Sequence, residues 1–552
     1  MDGNYYYKLW DSMRNNAKNW ETLWQEAADW SLPRKDQITE VRVQGLEKPA
    51  QRMIDTCIES NWNFASGFFS YMFPSQTIWA KLKHPQPAVM EDPDVADYFE
   101  RVSRQIHSVL IESNFAQEMQ ESLLDLGCFG TNNLYGEEDD DSVVRFRSFT
   151  VSDFRIMNDN RGRIDTIGRE LSLTARQMMQ EFGEEALEEA DLGEIKEQLQ
   201  AGNCSSDKKY SVIHIVRKRS EYDKTKVNAE NKPFASIYVC TKTKAIIKEG
   251  GYDYLPYFVG RFTVGNNEDY GRSPMMQVLA TARRTNSIFR SVVLAGEQNV
   301  NATWLVPDDD TVTFNGHPNR GGIVNFRANS PLGKPERLDT TVNAGIAMEL
   351  LEMHDAAIRR AFFNHLFRPL DEYRNMTAFE VNQRMSTDLM ALAPFVNRYQ
   401  DEVVNDIINF VYYVLAKKKL LPPMPAMLAE NPNFEVEYIG KLSLATKNFE
   451  VAGAFQTLQM FTELAQNVPQ MAEPLMNVDG DKLFRQSWYS NSASMNALKR
   501  PEDVKDERLA QAQAAAQQQQ LEAIPALADA AGKGSKKPEE GSPTALLMGQ
   551  AQ

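Results

Sequence analysis

Apolar positions in the first quarter of the chain recur every three or four residues, which is the period of an amphipathic helix. The pattern predicts one helix that Pro33 ends, a second that stops at Pro74 and a third that spans about 93–126. The first of these carries its apolar line at Leu9, Met13, Trp20, Leu23, Trp24 and Ala27. The chain is therefore expected to begin with a helical region.

The period changes to that of strands between 142 and 264. Short β-branched and aromatic runs such as "VVRFRSFTV" and "SVIHIVRKRS" are separated by turn residues, and "NDNRGR" is typical of a hairpin turn. One helix, at about 174–199, interrupts the series. We expect a mostly antiparallel β region built onto the helices.

A glycine turn opens the next helix, in "EDYGRSPMMQVLATARRTN" at 268–286. Ser273 suits the N-cap and Pro274 the first helical position of a helix that extends to about Val300. A glycine turn, an arginine and a helix start are also the parts of a phosphate cradle, but no second phosphate contact or metal ligand lies nearby in the sequence. Gly271, Arg272, Ser273 and Pro274 are therefore interpreted as a structural hinge, with the arginine able to pair across a subunit boundary.

A segment dense in glycine, proline and asparagine follows at 301–339, with two short β runs at 311–314 and 323–326. Helix resumes at about 340 and carries two neighbouring apolar lines. One line is Ile346, Leu350, Met353, Ala357 and Ala361, and the other is Ala347, Leu351, His354, Ile358 and Phe362. The arrangement predicted is helix, small β insert, helix.

The longest periodic segment runs from Thr377 to Lys417, opened by a capping box of Thr377 and Glu380. Pro394 lies inside it and predicts a kink, because proline removes one helical hydrogen bond. "FEVEYIGKL" then predicts a strand, and helices resume at about 445. After Arg500 an Ala/Gln-rich stretch leads to "GKGSKKPEEGSPT", which has the composition of a disordered segment.

The length of 552 residues and the 42% apolar content suit a large globular protein, and the formal charge is −16. This charge argues against a protein that grips nucleic acid over its whole surface, but not against one that DNA passes without sticking. The four cysteines at 57, 128, 204 and 240 form no Cys-x-x-Cys pair, so neither a zinc site nor a disulfide framework is expected. Neither a signal peptide nor a membrane-spanning run is expected from the sequence.

Catalytic motifs are absent from the sequence: there is no Gly-x-Ser-x-Gly, His-Glu-x-x-His, Walker or dinucleotide-binding pattern. The acidic clusters at 137–141 and 308–310 admit a divalent-metal site. We favour a solvated turn for the first and an exposed loop or docking surface for the second. The basic runs at 217–219 and 417–419 are more typical of solvated faces than of DNA contacts. No cofactor is expected.

Four phrases in a fixed order carry a resemblance to a known family: "WNFASGFFSYMFPSQTIWAKL", "EDYGRSPMMQVLATARRTN", "MTAFEVNQRMSTDLMALAPFVNRYQDEV" and "FEVEYIGKLSLA". Over about residues 5–500 the chain resembles the portal proteins, or head-to-tail connectors, of short-tailed tailed phages. The resemblance implies a mainly helical α+β portal fold and a dodecameric ring at one capsid vertex. It also implies a structural protein of the virion, made in the host cytoplasm, with double-stranded DNA passing through its channel.

The resemblance also implies a division of the chain. Residues 1–272 would form the wing, with a helical start and then the β-rich region; 273–300 and 340–367 the two stem helices; and 301–339 the clip. Residues 368–376 would be a tunnel loop, 377–454 a long kinked wing helix with a returning strand, and 455–500 the crown. The tail at 501–552 matches no part of the family pattern.

Partners implied by the resemblance are the terminase large subunit during packaging, then tail adaptor and tail proteins, both on the clip. The major capsid, scaffolding and internal core proteins would contact other parts of the ring. The docking residues expected on the clip are Asp308, Asp309, Asp310, Asn319 and Arg320. The tunnel-loop residues expected beside DNA are Arg368, Asp371, Glu372, Tyr373 and Arg374. Pro394 joins the turn at 271–274 as a hinge.

Two other functions remain open from the residues alone. A metal-dependent enzyme acting on nucleic acid would use Asp308, Asp309 and Asp310 as metal ligands. A helical scaffold protein would have no DNA channel at all.

Overall fold

The computed structural model divides into two compact units, residues 1–446 and 447–552. The elements described below belong to the first unit, which is an α+β fold with more helix than strand. The described residues are 2–439 apart from several gaps, together with scattered positions between 457 and 514. The gaps are 41–52, 76, 91, 193–194, 196–208, 220, 223–227, 301–303, 308–322, 327–335, 338–343, 368–391 and 430–432.

The helical start of the chain has the elements α1 (Gly3–Ser31), α2 (Thr56–Met72), β1 (Ala80–Lys83), α3 (Pro87–Met90), α4 (Pro93–Glu112) and α5 (Phe115–Phe129). The single helix predicted at 93–126 is wrong, because the chain breaks between α4 and α5. Ser113 adopts an extended conformation there, and its hydroxyl accepts a hydrogen bond from the Phe115 amide at 3.2 Å. The apolar positions keep a helical spacing across the break, so periodicity alone does not reveal it.

The β region contains β2 (Thr131–Asp139), β3 (Val143–Phe149), β4 (Phe154–Asn158), β5 (Ile164–Thr174), α6 (Ala175–Glu189), β6 (Lys209–Lys218), β7 (Phe234–Cys240), β8 (Ile246–Tyr252) and β9 (Tyr257–Arg261). Strands β4 to β8 form one antiparallel sheet in sequence order, and β3-β2-β9 form a second. The prediction of an antiparallel β region is confirmed. Helix α6 was predicted to reach 199, but it ends at Glu189, before Asp191 turns to a left-handed φ of 56°.

The acidic run at 137–141 lies partly in a strand rather than wholly in a turn. Its first three residues end β2, and Asp140 and Asp141 form the turn to β3. The Lys417 ammonium lies 2.7 Å from a Glu138 carboxylate oxygen, and Lys418 donates to the Asp139 carbonyl. The basic run at 417–419 therefore contacts this acidic run, and neither is simply a solvated face.

The five-stranded sheet is covered by a helix on each face. Ile213, Ile215 and Ile237 pack against Tyr6 and Trp10 of α1. The alternate positions of the same strands, with Tyr210, Val212 and Cys240, pack against Met178 and Phe182 of α6. Since side chains alternate between the faces of a strand, the continuous apolar run in β6 serves both helices.

A helix pair follows the β region. It consists of α7 (Pro274–Val300) and α8 (Ala344–Ala361), with β10 (Trp304–Pro307), β11 (Ile323–Phe326) and β12 (Glu336–Arg337) between them. Strand β10 pairs in parallel with β11 and antiparallel with β12. The predicted strand at 323–326 is confirmed, β10 was missed, and the run at 311–314 lies outside the described residues.

The last part of the first unit contains α9 (Asn364–Phe367), α10 (Ala393–Tyr399), α11 (Asn405–Lys417), α12 (Ala426–Ala429) and β13 (Glu435–Tyr438). Helices α10 and α11 are joined by a π-helical turn at Gln400–Val404. Pro394 lies in the first turn of α10, where the missing amide costs no hydrogen bond, and residues 377–391 lie outside the described part. Strand β13 pairs antiparallel with β1. Among the described helices, none has both the length and the apolar character needed to cross a membrane.

The π-helical turn places Glu402 against a buried arginine of β9. One Glu402 carboxylate oxygen lies 2.6 Å from an Arg261 guanidinium nitrogen, and the other accepts from the Arg261 amide at 3.0 Å. Arg261 also donates to the Gly162 carbonyl at 3.0 Å. This charged contact ties three separate segments of the chain together.

His214 is a buried neutral side chain in the centre of the five-stranded sheet. Its ring stacks on Tyr238 at 4.1 Å and lies within hydrogen-bond distance of the Tyr257 and Ser236 hydroxyls, at 3.0 and 2.9 Å. Burial, with a smaller contribution from Arg169, lowers the pKa of His214 to about 3. The folded protein therefore cannot take up the proton that the unfolded chain binds below about pH 6.5.

We predict that His214 makes the protein less stable as the pH falls. Between pH 7 and pH 5 the unfolded chain gains a proton that the folded chain does not, so this group should cost about 2 kcal/mol. H214Q, which has no titrating ring, should lose correspondingly less stability over that interval in urea unfolding followed by circular dichroism. Both proteins should change little between pH 7 and pH 8. An equal loss in the two proteins from pH 7 to pH 5 would contradict the assignment.

Candidate functional site

The backbone of the turn that starts α7 crosses the turn at the end of α5, and the two backbones are in close contact. Gly130 ends α5 with a left-handed φ of 75°, and a Cβ on Gly271 would lie 2.2 Å from the Gly130 carbonyl oxygen. The Phe262 amide donates to that same oxygen at 2.9 Å. Only glycine at both positions allows the two backbones to approach this closely.

Ser273 joins this crossing to the start of the helix. Its hydroxyl accepts from the Met276 amide at 3.0 Å and donates to the Cys128 carbonyl at 2.7 Å, while the Gly271 amide donates to the Thr131 hydroxyl at 2.8 Å. The predicted helix start at Pro274 is confirmed. The serine both caps α7 and fixes it to the end of α5.

Arg272 is engaged within its own chain. Its Nε lies 3.0 and 3.1 Å from the two Glu268 carboxylate oxygens, and its guanidinium lies 5.3 Å from the Trp20 ring centroid. These hydrogen bonds lower the pKa of Glu268. The sequence analysis made this arginine a candidate for pairing across a subunit boundary; within its own chain it pairs with Glu268, four residues away. The guanidinium that a phosphate cradle would use is therefore already paired with a carboxylate.

The end of the helix pair nearest this turn is anchored in the protein core. Val278, Leu279 and Ala282 of α7 are buried, as are Ile358 of α8 and Phe362 just beyond it. Two hydrogen bonds add to this packing: the Thr56 hydroxyl donates to Asp355 at 3.0 Å, and the Met53 amide donates to Asn286 at 2.6 Å. Arg283 also pairs with Glu26 of α1.

The other end of the helix pair is exposed and strongly apolar. Ile346 and Met353 are each 57% exposed and Leu350 is 37% exposed, and these three side chains share one face of α8 at spacings of four and three residues. On α7, Leu294 is 48% exposed and Val300 is 84% exposed. The neighbouring α8 line of Leu351 and Ile358 is the buried one. We call Ile346, Leu350, Met353 and Ala357 the apolar face of α8.

Most of the residues predicted to carry function lie outside the described part of the chain. This holds for the clip residues Asp308, Asp309, Asp310, Asn319 and Arg320, and for the tunnel-loop residues Arg368, Asp371, Glu372, Tyr373 and Arg374. Gly271, Ser273 and Pro274 are described and form one buried junction, with Arg272 exposed beside it. Pro394 begins a separate helix and does not touch that junction in any described contact.

The described residues offer little for nucleophilic or metal chemistry. No group of three or more His, Cys, Asp or Glu side chains among them could hold a metal ion. Burial raises the pKa of the Cys57 thiol to about 12 and that of Cys128 beyond it, so neither is a reactive thiolate at neutral pH. The metal site considered at 308–310 lies outside these residues.

A polar cleft of about 850 Å³ opens between the β4–β5 hairpin and the π-helical turn. Arg163, Arg261, Arg398, Asp401, Glu402 and Asp406 contribute to its lining. Arg261 and Glu402 are paired with each other there, so the cleft presents charges of both signs and no single ligand chemistry.

The exposed apolar face of α8 was not identified as functional from the sequence, although the signal was present. A helix that packs on a single neighbour needs one apolar line, and this helix carries two. The surplus line is the one that the structure leaves exposed. The close approach of Gly130 and Gly271 had no such signal, because the two glycines are 141 residues apart.

Comparison with known proteins gives a match over almost the whole chain. The family model described as bacteriophage head to tail connecting protein matches residues 5–498. A portal protein of Salmonella phage epsilon15 is 26% identical over 514 residues, covering 91% of this chain and 90% of that protein. A probable portal protein of Bordetella phage BPP-1 is 25% identical over 457 residues, covering 79% of each.

We predict that Gly271→Ala destabilises the protein by about 1–3 kcal/mol, because the new methyl group overlaps the Gly130 carbonyl and both backbones must shift. Gly296→Ala in α7 is the matched control. A Cβ there meets nothing within 4 Å, and alanine should stabilise the helix by about 0.5–1 kcal/mol. Urea unfolding of the two variants and the parent protein measures both effects. Equal stability of the two variants would show that the crossing is not tight.

Proposed function

The chain belongs to the bacteriophage head to tail connecting protein family, and from this membership we propose that it is the portal protein of a phage capsid. In this role the subunits form a ring at one vertex, and double-stranded DNA enters and leaves the head through its channel. Head to tail connecting proteins are structural, which argues against the nucleic-acid-processing enzyme considered above.

The observation that supports a ring is the exposed apolar face of α8. Three large apolar side chains at helical spacing are left in solvent on a helix whose other apolar line is already buried. Burying one such side chain fully is worth roughly 1.5–3 kcal/mol, and exposed apolar patches mark interaction surfaces. A neighbouring subunit on this face would recover that free energy.

The helix pair has the dimensions expected of a channel wall. At 1.5 Å per residue, the 27 residues of α7 span about 40 Å, and only one end is held by the core. We propose that α7 and α8 are the stem and that β10, β11 and β12 belong to the clip. The region up to 272, with α10, α11 and β13, would form the wing.

The partners proposed for this ring follow from its place between head and tail. The terminase and later the tail adaptor would dock on the clip, through Asp308, Asp309, Asp310, Asn319 and Arg320. Capsid, scaffolding and internal core proteins would contact the remainder. The crown at 455–500 and the tunnel loop at 368–376 remain proposals that lie almost wholly outside the described residues.

The charge of the chain suits a channel that must not retain its cargo. Each subunit carries a formal charge of −16, so an assembled ring repels DNA on average. A protein that neutralises many phosphates binds DNA tightly and in a salt-dependent way. A few arginines, which we place at Arg368 and Arg374 in the tunnel loop, would then centre DNA without trapping it.

Replacing Leu350 and Met353 together by glutamate should keep the protein monomeric. The charges would have to be buried in the proposed interface, which is costly without partners. Sedimentation velocity should show the parent protein many times heavier than its 62.7 kDa subunit and the variant at the subunit mass. Ile111→Glu is the control, since Ile111 is 54% exposed on α4 and should tolerate the change. Ring formation by the variant with both glutamates would show that α8 does not contribute to the subunit interface.

Replacing Arg368 and Arg374 together by alanine should impair DNA packaging or retention while leaving ring assembly intact. The expected defect follows from losing the only phosphate contacts that the tunnel loop is proposed to make. Packaged DNA per particle, measured in phage made with the variant, tests this. Parent-level packaging would exclude the two arginines from the channel function.

A further inference from the structure

The two helices of the stem carry different exposed faces, and we infer that these faces meet between neighbouring subunits, the apolar face of α8 against α7 of the next copy. This rests on the proposed ring. A ring can be built from several pairs of surfaces, and the inference names the two surfaces that form each contact between subunits.

The exposed faces of the two helices differ in side-chain size. The exposed face of α7 carries Ser287 and Ser291, which are four residues apart, and continues to Leu294 and Gln298. We call Ser287 and Ser291 the small face of α7. The apolar face of α8 is bulky by comparison, with Ile346, Leu350 and Met353. Large side chains on one helix and small ones on the other allow close helix packing.

The two faces also lie at matching heights along the helix pair. Helices α7 and α8 are antiparallel neighbours, and the short segment 53–56 contacts both of them: the Met53 amide donates to Asn286 of α7, and the Thr56 hydroxyl donates to Asp355 of α8. Counting along the two helices from these contacts puts Ser291 near Leu350 in height, and Ser287 near Met353. The rotation that generates the next copy of a ring leaves the height of each residue along the ring axis unchanged. The bulky side chains of one copy therefore arrive opposite Ser287, Ser291 and Leu294 of the next.

One serine of the small face can be buried at little cost in free energy. The Ser291 hydroxyl donates to the Ser287 carbonyl of its own helix at 3.0 Å. Burying a hydroxyl is costly chiefly when its hydrogen bond is lost. Here the bond is internal to α7, so a methionine side chain can cover Ser291 without breaking it.

The charged side chains beside the two faces have opposite signs. Arg290 is exposed beside the small face, and Glu349 and Glu352 are exposed beside the apolar face. None of these three side chains has a hydrogen-bond or ion-pair partner within the described part of the chain. In the arrangement inferred, Arg290 lies at a height between those of Glu349 and Glu352 of the next copy. Opposite charges at matching heights fix the register of the contact and disfavour the reversed one.

The contact that results is heterologous, because α8 of one copy meets α7 of the next and no two identical faces meet. Heterologous contacts close into rings when the rotation allows it. The exposed faces of a single subunit thus specify the direction in which subunits add.

A charge-reversal experiment tests this assignment in the full-length protein. Arg290→Glu should reduce the fraction of protein in rings at least tenfold at a fixed concentration, because it places three carboxylates together. Glu349→Arg with Glu352→Arg should do the same. The triple variant restores opposite charges across the contact and should recover rings. Arg284→Glu is the control with the same charge change on the same helix.

The outcomes separate this inference from the function on which it rests. Rings from Arg290→Glu at the parent level, or a triple variant no better than its parents, would overturn the α7–α8 contact while leaving the portal role intact. A circular dichroism spectrum matching the parent shows that a variant is folded. Parent protein that forms no ring would overturn the proposed function and this inference together. Recovery by the triple variant, with Arg284→Glu unaffected, supports both.

Discussion

The architecture depends on one backbone contact, the crossing of Gly130 and Gly271. It brings the end of α5, the start of β2 and the start of α7 to one point, where no side chain larger than hydrogen fits. Ser273 then orients α7 through two hydrogen bonds, one to its own helix and one to α5. The crossing therefore sets where α7 leaves the body, and the packing and hydrogen bonds at 278–286 and 355–362 hold the helix pair there.

The body of the chain buries its large apolar side chains, whereas the far half of the helix pair exposes them. In the body the buried Arg261 is paired with Glu402, and the buried His214 is kept neutral with both ring nitrogens beside hydroxyls. The helix pair instead leaves isoleucine, leucine and methionine in solvent. This contrast supports the proposed ring, in which copies of the chain would cover the exposed apolar side chains.

The sequence predicted the larger elements well where local signals were strong. The cap at Ser273, the proline at 274 and the apolar period predicted α7, and the β-branched run of β6 predicted a strand. The break at Ser113 was missed because the apolar spacing continues across it. The strand character of 137–139 was missed because Glu138 and Asp139 contact lysines 279 residues away in the sequence. Of the candidate site, the turn was found, but the role of the second apolar line needed the structure to show which line is buried.

The most direct test of the account is electron microscopy of the purified full-length protein, with rotational averaging of end views. We expect closed rings with a central opening at least as wide as a DNA duplex and with the helix pairs of neighbouring subunits side by side. The proposed ring would be contradicted by compact monomers, or by open oligomers without a central opening, under conditions in which the protein is folded.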